Sequence, residues 1–230
     1  MSSGITDKIH AILIDYGGVL AEEGFREGLM AIARANGLDE REFFRQAARL
    51  AYESGYVIGK ANEAEFWDLV RRKTGVKGSD QELRQELLSR FVPRPWMVEL
   101  VRQLKHQVDE IALLSDQTNW LDELDARDGF FREFDRILNS YHMGKGKTDP
   151  TIFPDVVRKI GKDPQNVLFI DDNEGHVGRA RSQGLEVHLF VDRKRLWEDL
   201  KRLGLDPGEL DTDARSSGLT TGRGRKRQGL

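Results

Sequence analysis

Short runs of apolar and β-branched residues recur along the chain and end in polar residues. Three of them are typical of buried parallel strands, HAILID (10–15), EIALLS (110–115) and NVLFID (166–171). The run EVHLFV (186–191) has the same pattern, and DRILNS (135–140) has a weaker form of it. Helical periodicity separates most of these runs. Strands that alternate with helices predict an α/β protein with a doubly wound parallel sheet.

Between residues 22 and 92 the pattern becomes helical throughout and contains no convincing strand. The ends of these helical segments carry recognisable signals. Gly37 and Gly75 are typical of helix C-termini, and Asn62 and Ser79 are typical of N-caps. The pattern therefore predicts a helical insertion of roughly 70 residues after the first strand.

These patterns divide the chain into three parts. Residues 1–21 and 93–205 form the predicted α/β core, and residues 22–92 form the helical insertion within it. Apolar periodicity is lost from residue 206, so residues 206–230 are predicted to be a disordered basic tail. The RGRKR cluster of this tail could contact RNA or an anionic surface, but a short basic terminus without aromatic residues is more often simply solvated.

Composition excludes several kinds of chemistry. The 230 residues contain no cysteine, which excludes disulfides, thiol nucleophiles and cysteine-based metal sites. The five histidines lack the HxH or HExxH spacing of a zinc site. A formal net charge of −3 gives the fold no general electrostatic footprint for nucleic acid or membrane. With no secretory signal and no long apolar segment, we expect a soluble cytoplasmic protein without nucleic-acid or membrane partners.

Polar side chains stand at or just beyond the ends of the predicted strands, at Asp15, Ser115, Lys147, Asp171 and Asp172. Ligands of an open parallel sheet bind outside the carboxyl ends of its strands, so these side chains are expected to converge. A carboxylate can attack phosphorus and form an aspartyl-phosphate. Mg²⁺ held by carboxylates can neutralise the two anions, while lysine and hydroxyl groups hold phosphoryl oxygens. The set therefore suits phosphoryl transfer.

Each of these residues also has an ordinary structural explanation. An acid at a strand end often caps the next turn or helix, which applies to Asp15 and to the pair 171–172. Ser115 could cap the helix that follows it, although capping and phosphate binding use the same exposed N–H groups. Lys145 is the alternative to Lys147 as the functional cation.

Four segments together carry a family resemblance: DYGGVL, LLSDQTN, GKGKTDPTIF and VLFIDDNEGHVGRARSQGL. In order and spacing they resemble the four motifs of the haloacid dehalogenase-like (HAD) hydrolase superfamily. The resemblance implies a Rossmann-like core with an inserted α-helical cap, and Mg²⁺-dependent phosphoryl transfer as the commonest activity. The DxGGV-type first motif resembles subgroups with a small helical cap that include sugar-phosphate phosphatases.

The same resemblance implies roles for individual residues. Asp15 corresponds to the nucleophile, and Ser115 and Lys147 to catalytic residues that also bind phosphate. The implied metal ligands are Asp15, Asp171, Asp172 and the backbone carbonyl of Gly17. The candidate residues for substrate or phosphate binding are Ser115, Asp116, Lys147 and Asn119, with helix packing as the alternative for Asn119.

Two positions depart from the family pattern. The family usually has a second aspartate two residues after the nucleophile, where it protonates the leaving group and then activates water. Here that position is Gly17. General acid–base catalysis typically contributes ~10²–10⁴-fold, so its loss matters. Thr148 stands where a proline commonly follows the lysine, and we expect only a local effect on the backbone.

Three functional hypotheses follow. The first is a Mg²⁺-dependent phosphatase of a small phosphorylated metabolite, with sugar phosphates among the candidates, that acts through Asp15. The second is a catalytically weak ligand-binding or regulatory module, because Gly17 replaces the acid. The third is carbon–halogen hydrolysis, which does not require Mg²⁺, so the intact acidic pair counts against it. Tyr52, Tyr56 and Trp67 are candidates to contact the substrate.

Overall fold

Five parallel strands form the central sheet of the computed structural model, which describes residues 9–209. The strand order is β3-β2-β1-β4-β5, so the central strand β1 pairs with β2 on one side and β4 on the other. The α/β prediction is confirmed, including the weak strand pattern near residue 137. The strands are β1 (Ala11–Ile14), β2 (Glu110–Ser115), β3 (Arg136–Asn139), β4 (Val167–Asp171) and β5 (Glu186–Leu189).

Helices cover both faces of the sheet and form the insertion. Within residues 9–209, no helix is both long and apolar enough to cross a membrane. The α-helices of this part of the chain are α1 (Gly24–Ala35), α2 (Glu40–Glu53), α3 (Glu63–Thr74), α4 (Asp80–Ser89), α5 (Pro95–Leu104), α6 (Trp120–Asp128), α7 (Ser140–Met143), α8 (Ile152–Ile160), α9 (Glu174–Ser182) and α10 (Arg193–Arg202).

The central strand is buried on both faces of the sheet. Ile12 and Ile14 belong to the larger core, while Ala11 and Leu13 point to the other face and pack with a smaller core that includes Phe153 of α8. Alternate residues of a strand point to opposite faces, which is why a continuous apolar run is needed here. The two cores fix β1 firmly, and the residue that follows it is Asp15.

Local signals set the ends of the insertion helices. Asn62 caps α3 and Ser79 caps α4, each in a capping box in which the glutamate three residues later bonds back to the cap backbone. Gly75 ends α3 in the left-handed region with φ of 75°. These ends match the sequence signals at the same residues.

The insertion leaves and rejoins the core through two links that run side by side. The N–H of Glu22 donates to the Val92 carbonyl at 2.9 Å, and the N–H of Arg94 donates to the Leu20 carbonyl at 2.8 Å. The Arg94 guanidinium also bonds the Glu22 carboxylate and the Gly18 carbonyl. The start and end of the insertion are thereby held together beside the end of β1.

The insertion also contacts the core beyond the ends of β2 and β3. The Ser140 hydroxyl donates to the Val57 carbonyl at 2.6 Å, and the Tyr56 hydroxyl donates to Asn119 Oδ1 at 2.7 Å. The ring of Trp120 lies 5.3 Å from that of Tyr56, measured between centroids. These buried contacts hold the insertion over the carboxyl ends of the strands.

The first residues of the predicted tail pack on the core. The N–H of Asp206 donates to Gln107 Oε1 at 2.7 Å, and the indole of Trp197 donates to the Gly208 carbonyl at 3.3 Å. The rest of the tail, including the RGRKR cluster, lies outside the described residues.

Candidate active site

Three neighbouring strands end at one edge of the sheet and bring the predicted site residues together. Asp15 follows β1, Ser115 ends β2 and Asp171 ends β4. Lys147, from the loop before α8, inserts between them, with Nζ 2.8 Å from Asp15 Oδ1 and 2.6 Å from Asp171 Oδ2. The Lys147 side chain is 1% exposed, so its charge is balanced by these carboxylates rather than by water.

The backbone around Lys147 is fixed by the core. Its N–H donates to Asp116 Oδ1 at 2.7 Å, and its carbonyl accepts from Arg179 Nε at 2.7 Å. A Cβ at Gly146 would lie 2.9 Å from the Asp116 carboxylate, so this approach depends on glycine. Asp116, predicted to bind substrate, thus also positions the lysine loop.

The alternative lysine points elsewhere. Lys145 donates to Thr151 Oγ1 at 2.8 Å and to Asp155 Oδ2 at 2.5 Å, in a pair that is about one third exposed. Thr148, the second departure from the family pattern, is exposed in the same loop. Of the two lysines, the structure therefore brings Lys147 to the carboxylates.

Three carboxylates form a cluster at the strand ends. Oxygen atoms of Asp15, Asp171 and Asp172 all lie within 4.8 Å of one another. Asp171 is further held by the N–H of Asn173 at 2.7 Å and by His176 Nδ1 at 3.2 Å. Three acids around one lysine leave the site short of positive charge.

Helix capping does not account for these acids. Asn173 Oδ1 accepts from the N–H groups of Gly175 and His176 and so caps α9. At the start of α6, Thr118 Oγ1 accepts from the Trp120 N–H at 3.2 Å. Neighbouring residues therefore cap the two helices, while Asp15 and Asp171 accept the backbone N–H groups of Tyr16 and Asn173 in the turns that follow their strands.

Burial and the neighbouring charges shift the pKa values of the three acids in different directions. Burial raises the pKa of Asp15 well above its usual value, and Lys147 only partly offsets this. Burial opposes ionisation of Asp171 as well, but Lys147 and His176 hold its pKa below the usual range. Partial removal from water, followed by the charges of Asp171 and Glu23, raises the pKa of Asp172 to about 6. Additional positive charge at this point would stabilise the ionised cluster.

The donor set fits a hard divalent cation. Carboxylate oxygens are the protein ligands that Mg²⁺ prefers, and one or two carboxylates with waters commonly suffice. The cluster of Asp15, Asp171 and Asp172 supplies oxygens close enough to share one ion, and its excess negative charge favours one.

The two glycines after Asp15 differ in what they require. Gly18 has φ of 80°, and a Cβ there would overlap the Asp172 carboxylate. A Cβ at Gly17 would lie 3.6 Å from Phe91 Cε1 and 3.8 Å from Glu23 Oε2, which are ordinary van der Waals distances. Glycine is therefore needed at position 18 but not at position 17.

A cavity of about 280 Å³ lies between the insertion and the core, directly over the site. Its walls include the predicted residues Asp15, Gly17, Ser115, Asp116, Lys147 and Asp172, together with Phe25, Arg26, Phe44 and Tyr52 from the insertion. A more open depression of about 560 Å³ lies along the edge strand β5 and contains none of the predicted site residues.

Three residues that were candidates for substrate contact do not line the cavity. They are Asn119, Tyr56 and Trp67. Asn119 accepts from the Tyr56 hydroxyl, and Trp67 is fully buried beside Phe66. They join the insertion to the core, as the packing alternative for Asn119 predicts. Tyr52 does line the cavity, where its hydroxyl lies 3.4 Å from Asp116 Oδ2.

Sequence reasoning did not single out all of the residues that line the cavity, and two acid–base side chains, His176 and Glu23, are among those it missed. His176 stands five residues after Asp171, on the first turn of α9, and that spacing was a usable signal. Glu23 lies in the link before α1, outside any periodic pattern, and had no signal of its own.

Comparison with known proteins gives matches along much of the chain. The rat (Rattus norvegicus) bifunctional epoxide hydrolase 2 is 26% identical over 126 residues, 52% of this chain and 22% of that protein. The Arabidopsis thaliana bifunctional riboflavin kinase/FMN phosphatase is 30% identical over 90 residues, 38% of this chain and 24% of that protein. In each of these curated relatives and two further ones, the match covers only 16–24% of the length of the relative.

Solved structures match over a larger part of the chain. A HAD family enzyme from Bacteroides thetaiotaomicron, in complex with magnesium and inorganic phosphate, is 25% identical with a TM-score of 0.65, covering 82% of this chain and 99% of that one. The family model for haloacid dehalogenase-like hydrolases matches residues 9–182. Because this model covers well over half of the sequence, the chain belongs to the haloacid dehalogenase-like hydrolase family.

Proposed function

We propose that the protein is a Mg²⁺-dependent phosphatase of a small phosphorylated metabolite and that Asp15 is its nucleophile. The observation that carries the proposal is the position of the Asp15 carboxylate, which follows β1, lines the cavity and is bonded to Lys147 beside two further acids. A carboxylate held in this way can attack phosphorus and form an aspartyl-phosphate.

The proposed roles combine the contacts of Asp15 and Lys147 with the roles that the family resemblance implies for Ser115 and Gly17. Oδ1 of Asp15 accepts from the Tyr16 N–H at 2.7 Å and faces Lys147, so attack is assigned to the other oxygen. Lys147 and the buried Ser115 hold the phosphoryl oxygens. Asp15, Asp171, Asp172 and the Gly17 carbonyl would hold Mg²⁺. When bound, the ion offsets the repulsion between the nucleophile and the phosphate.

The cavity supports a small substrate. Its volume of about 280 Å³ is close to the lower limit of roughly 300 Å³ for ligand pockets. The insertion provides one wall and would act as a cap that excludes water from the reacting groups. The Bacteroides enzyme with magnesium and phosphate, and the Arabidopsis relative named an FMN phosphatase, also support phosphate-ester chemistry.

The test is phosphate release from a panel of phosphate monoesters, including sugar phosphates, with MgCl₂ and with EDTA. We expect turnover only with Mg²⁺ and its loss in Asp15→Asn. Asp68→Asn, at an exposed residue of α3, is the matched control and should keep full activity. Turnover that persists in Asp15→Asn, or that ignores the metal, would overturn the proposal.

Gly17 supports a second candidate, a ligand-binding or regulatory module with little catalysis. In that case no ester is hydrolysed, but calorimetry should detect Mg²⁺-dependent binding of phosphate compounds.

Carbon–halogen hydrolysis is checked on 2-haloacids in EDTA, since that chemistry does not require the metal.

A further inference from the structure

Glu23 lies beside the position at which the chain lacks an acid. Its Oε2 is 3.8 Å from where a Cβ of residue 17 would stand, and it lines the cavity together with Asp15 and Asp172. An aspartate at position 17 would project its carboxyl group into this same region. Glu23 itself is the N-cap residue of α1, at the start of the insertion.

The local structure fixes the direction of the Glu23 side chain. Its Oε1 caps α1 by accepting the Arg26 N–H at 3.1 Å, and its Oε2 is directed to Gly17. The next residue, Gly24, is packed so tightly against Phe91 that a Cβ could not be accommodated. Helix α1 therefore begins at a fixed place and holds the carboxyl group over the site.

Three other ionisable groups of the described cavity wall are already engaged. Asp116 accepts the Lys147 N–H, His176 contacts Asp171, and the Tyr52 hydroxyl faces Asp116. Of these groups, Glu23 has the carboxyl oxygen nearest to the missing side chain of residue 17.

We propose that Glu23 acts as the general acid and base in place of the aspartate that is absent at position 17. This inference rests on the proposed phosphatase function. As the bond from Asp15 to phosphorus forms and the ester P–O bond breaks, Glu23 gives its proton to the leaving oxygen. The resulting Glu23 carboxylate then takes a proton from water, whose oxygen attacks phosphorus. The bond to Asp15 breaks, and phosphate and an alcohol are the products.

The test compares Glu23→Gln with the wild type on an alkyl phosphate and on p-nitrophenyl phosphate. The amide keeps an oxygen to cap α1 but cannot donate an acidic proton. General acid–base catalysis typically contributes ~10²–10⁴-fold, and we expect kcat on the alkyl ester to fall in that range. p-Nitrophenolate leaves without a proton, so the variant should release it in a burst and then turn over slowly as the phosphoenzyme accumulates.

Two further variants separate catalysis from folding. Glu27→Gln, at an exposed residue of the same helix, should behave as the wild type. Gly17→Asp in the Glu23→Gln background should restore the alkyl phosphatase activity at least tenfold, because a Cβ fits at position 17. Unchanged kcat of Glu23→Gln on the alkyl ester, or an equal loss on both esters without a burst, overturns the inference alone. A wild type that releases no phosphate with Mg²⁺ overturns the phosphatase function and this inference with it.

Discussion

The Lys147 ammonium group lies 2.8 Å from Oδ1 of Asp15, and the two side chains are only 1% and 11% exposed. Asp171, which is fully buried, shares the same ammonium group at 2.6 Å. The three groups form one charged unit, because both carboxylates contact the same buried ammonium group. The residue proposed as nucleophile is therefore held by the same contact that stabilises the folded site.

Lys147→Met is expected to destabilise the protein strongly. Removing one partner of a buried ion pair costs about 3–5 kcal/mol, because the remaining charges stay buried without compensation. Lys145→Met removes a partly exposed pair with Asp155 and should cost less than about 1 kcal/mol. Urea denaturation in EDTA measures both free energies of unfolding. Equal effects of the two substitutions would contradict the central position of Lys147.

Stabilisation by Mg²⁺ should increase with pH because of Asp172. Its pKa of about 6 lies above the ordinary value of 3.8, so the metal-free folded protein holds a proton there that the unfolded chain releases. This contribution to stability is present at low pH and is lost as the pH rises through about 6. A metal ion must displace the same proton. The rise in melting temperature with MgCl₂ should therefore be larger at pH 7.5 than at pH 5.

Asp172→Asn is the control for this titration. The amide does not titrate in this range, so the effect of MgCl₂ on the melting temperature should be the same at both pH values. It should also be small, because a neutral amide is a weaker ligand for Mg²⁺ than a carboxylate. An equal and large effect at pH 5 and pH 7.5 in the wild type would rule out Asp172 as the titrating metal ligand.

The sequence predicted the convergence of the site residues because that depends on topology. Asp15, Ser115 and Asp171 each follow an apolar run, and parallel strands place their carboxyl ends at one edge of the sheet. Lys147, rather than Lys145, is the lysine that the resemblance of the segment GKGKTDPTIF to a family motif implied. These residues belong to elements whose patterns are local and can be recognised one at a time.

Glu23 and Asn119 could not be placed in this way. The position of Glu23 depends on the path of a link that Arg94 and Phe91 fix from distant parts of the chain. Asn119 adjoins the second motif, but a long-range bond from Tyr56 determines what its side chain contacts. Contacts of this kind depend on how the insertion packs on the core, and no local periodicity records them.

Ser140→Ala should weaken the attachment of the insertion to the core. The buried hydroxyl donates to the Val57 carbonyl at 2.6 Å and accepts from the Gln117 N–H at 3.1 Å. Its removal leaves buried polar groups without partners, which costs about 1–3 kcal/mol. Ser182→Ala, at an exposed residue of α9, is the control and should change stability little. Thermal unfolding checks both variants, and equal melting temperatures would contradict this role of Ser140.

The two adjacent glycines offer a paired test of the site geometry. Gly18→Ala must adopt a left-handed conformation and displace the Asp172 carboxylate, so it should lower stability by about 1 kcal/mol or more and weaken Mg²⁺ binding. Gly17→Ala meets only ordinary contacts and should leave both quantities nearly unchanged. Calorimetric titration with MgCl₂ and urea denaturation measure the two effects. If Gly17→Ala proved as damaging as Gly18→Ala, the space beside Glu23 would be needed for something other than a second acid. In that case glycine at position 17 would itself be a requirement of the site.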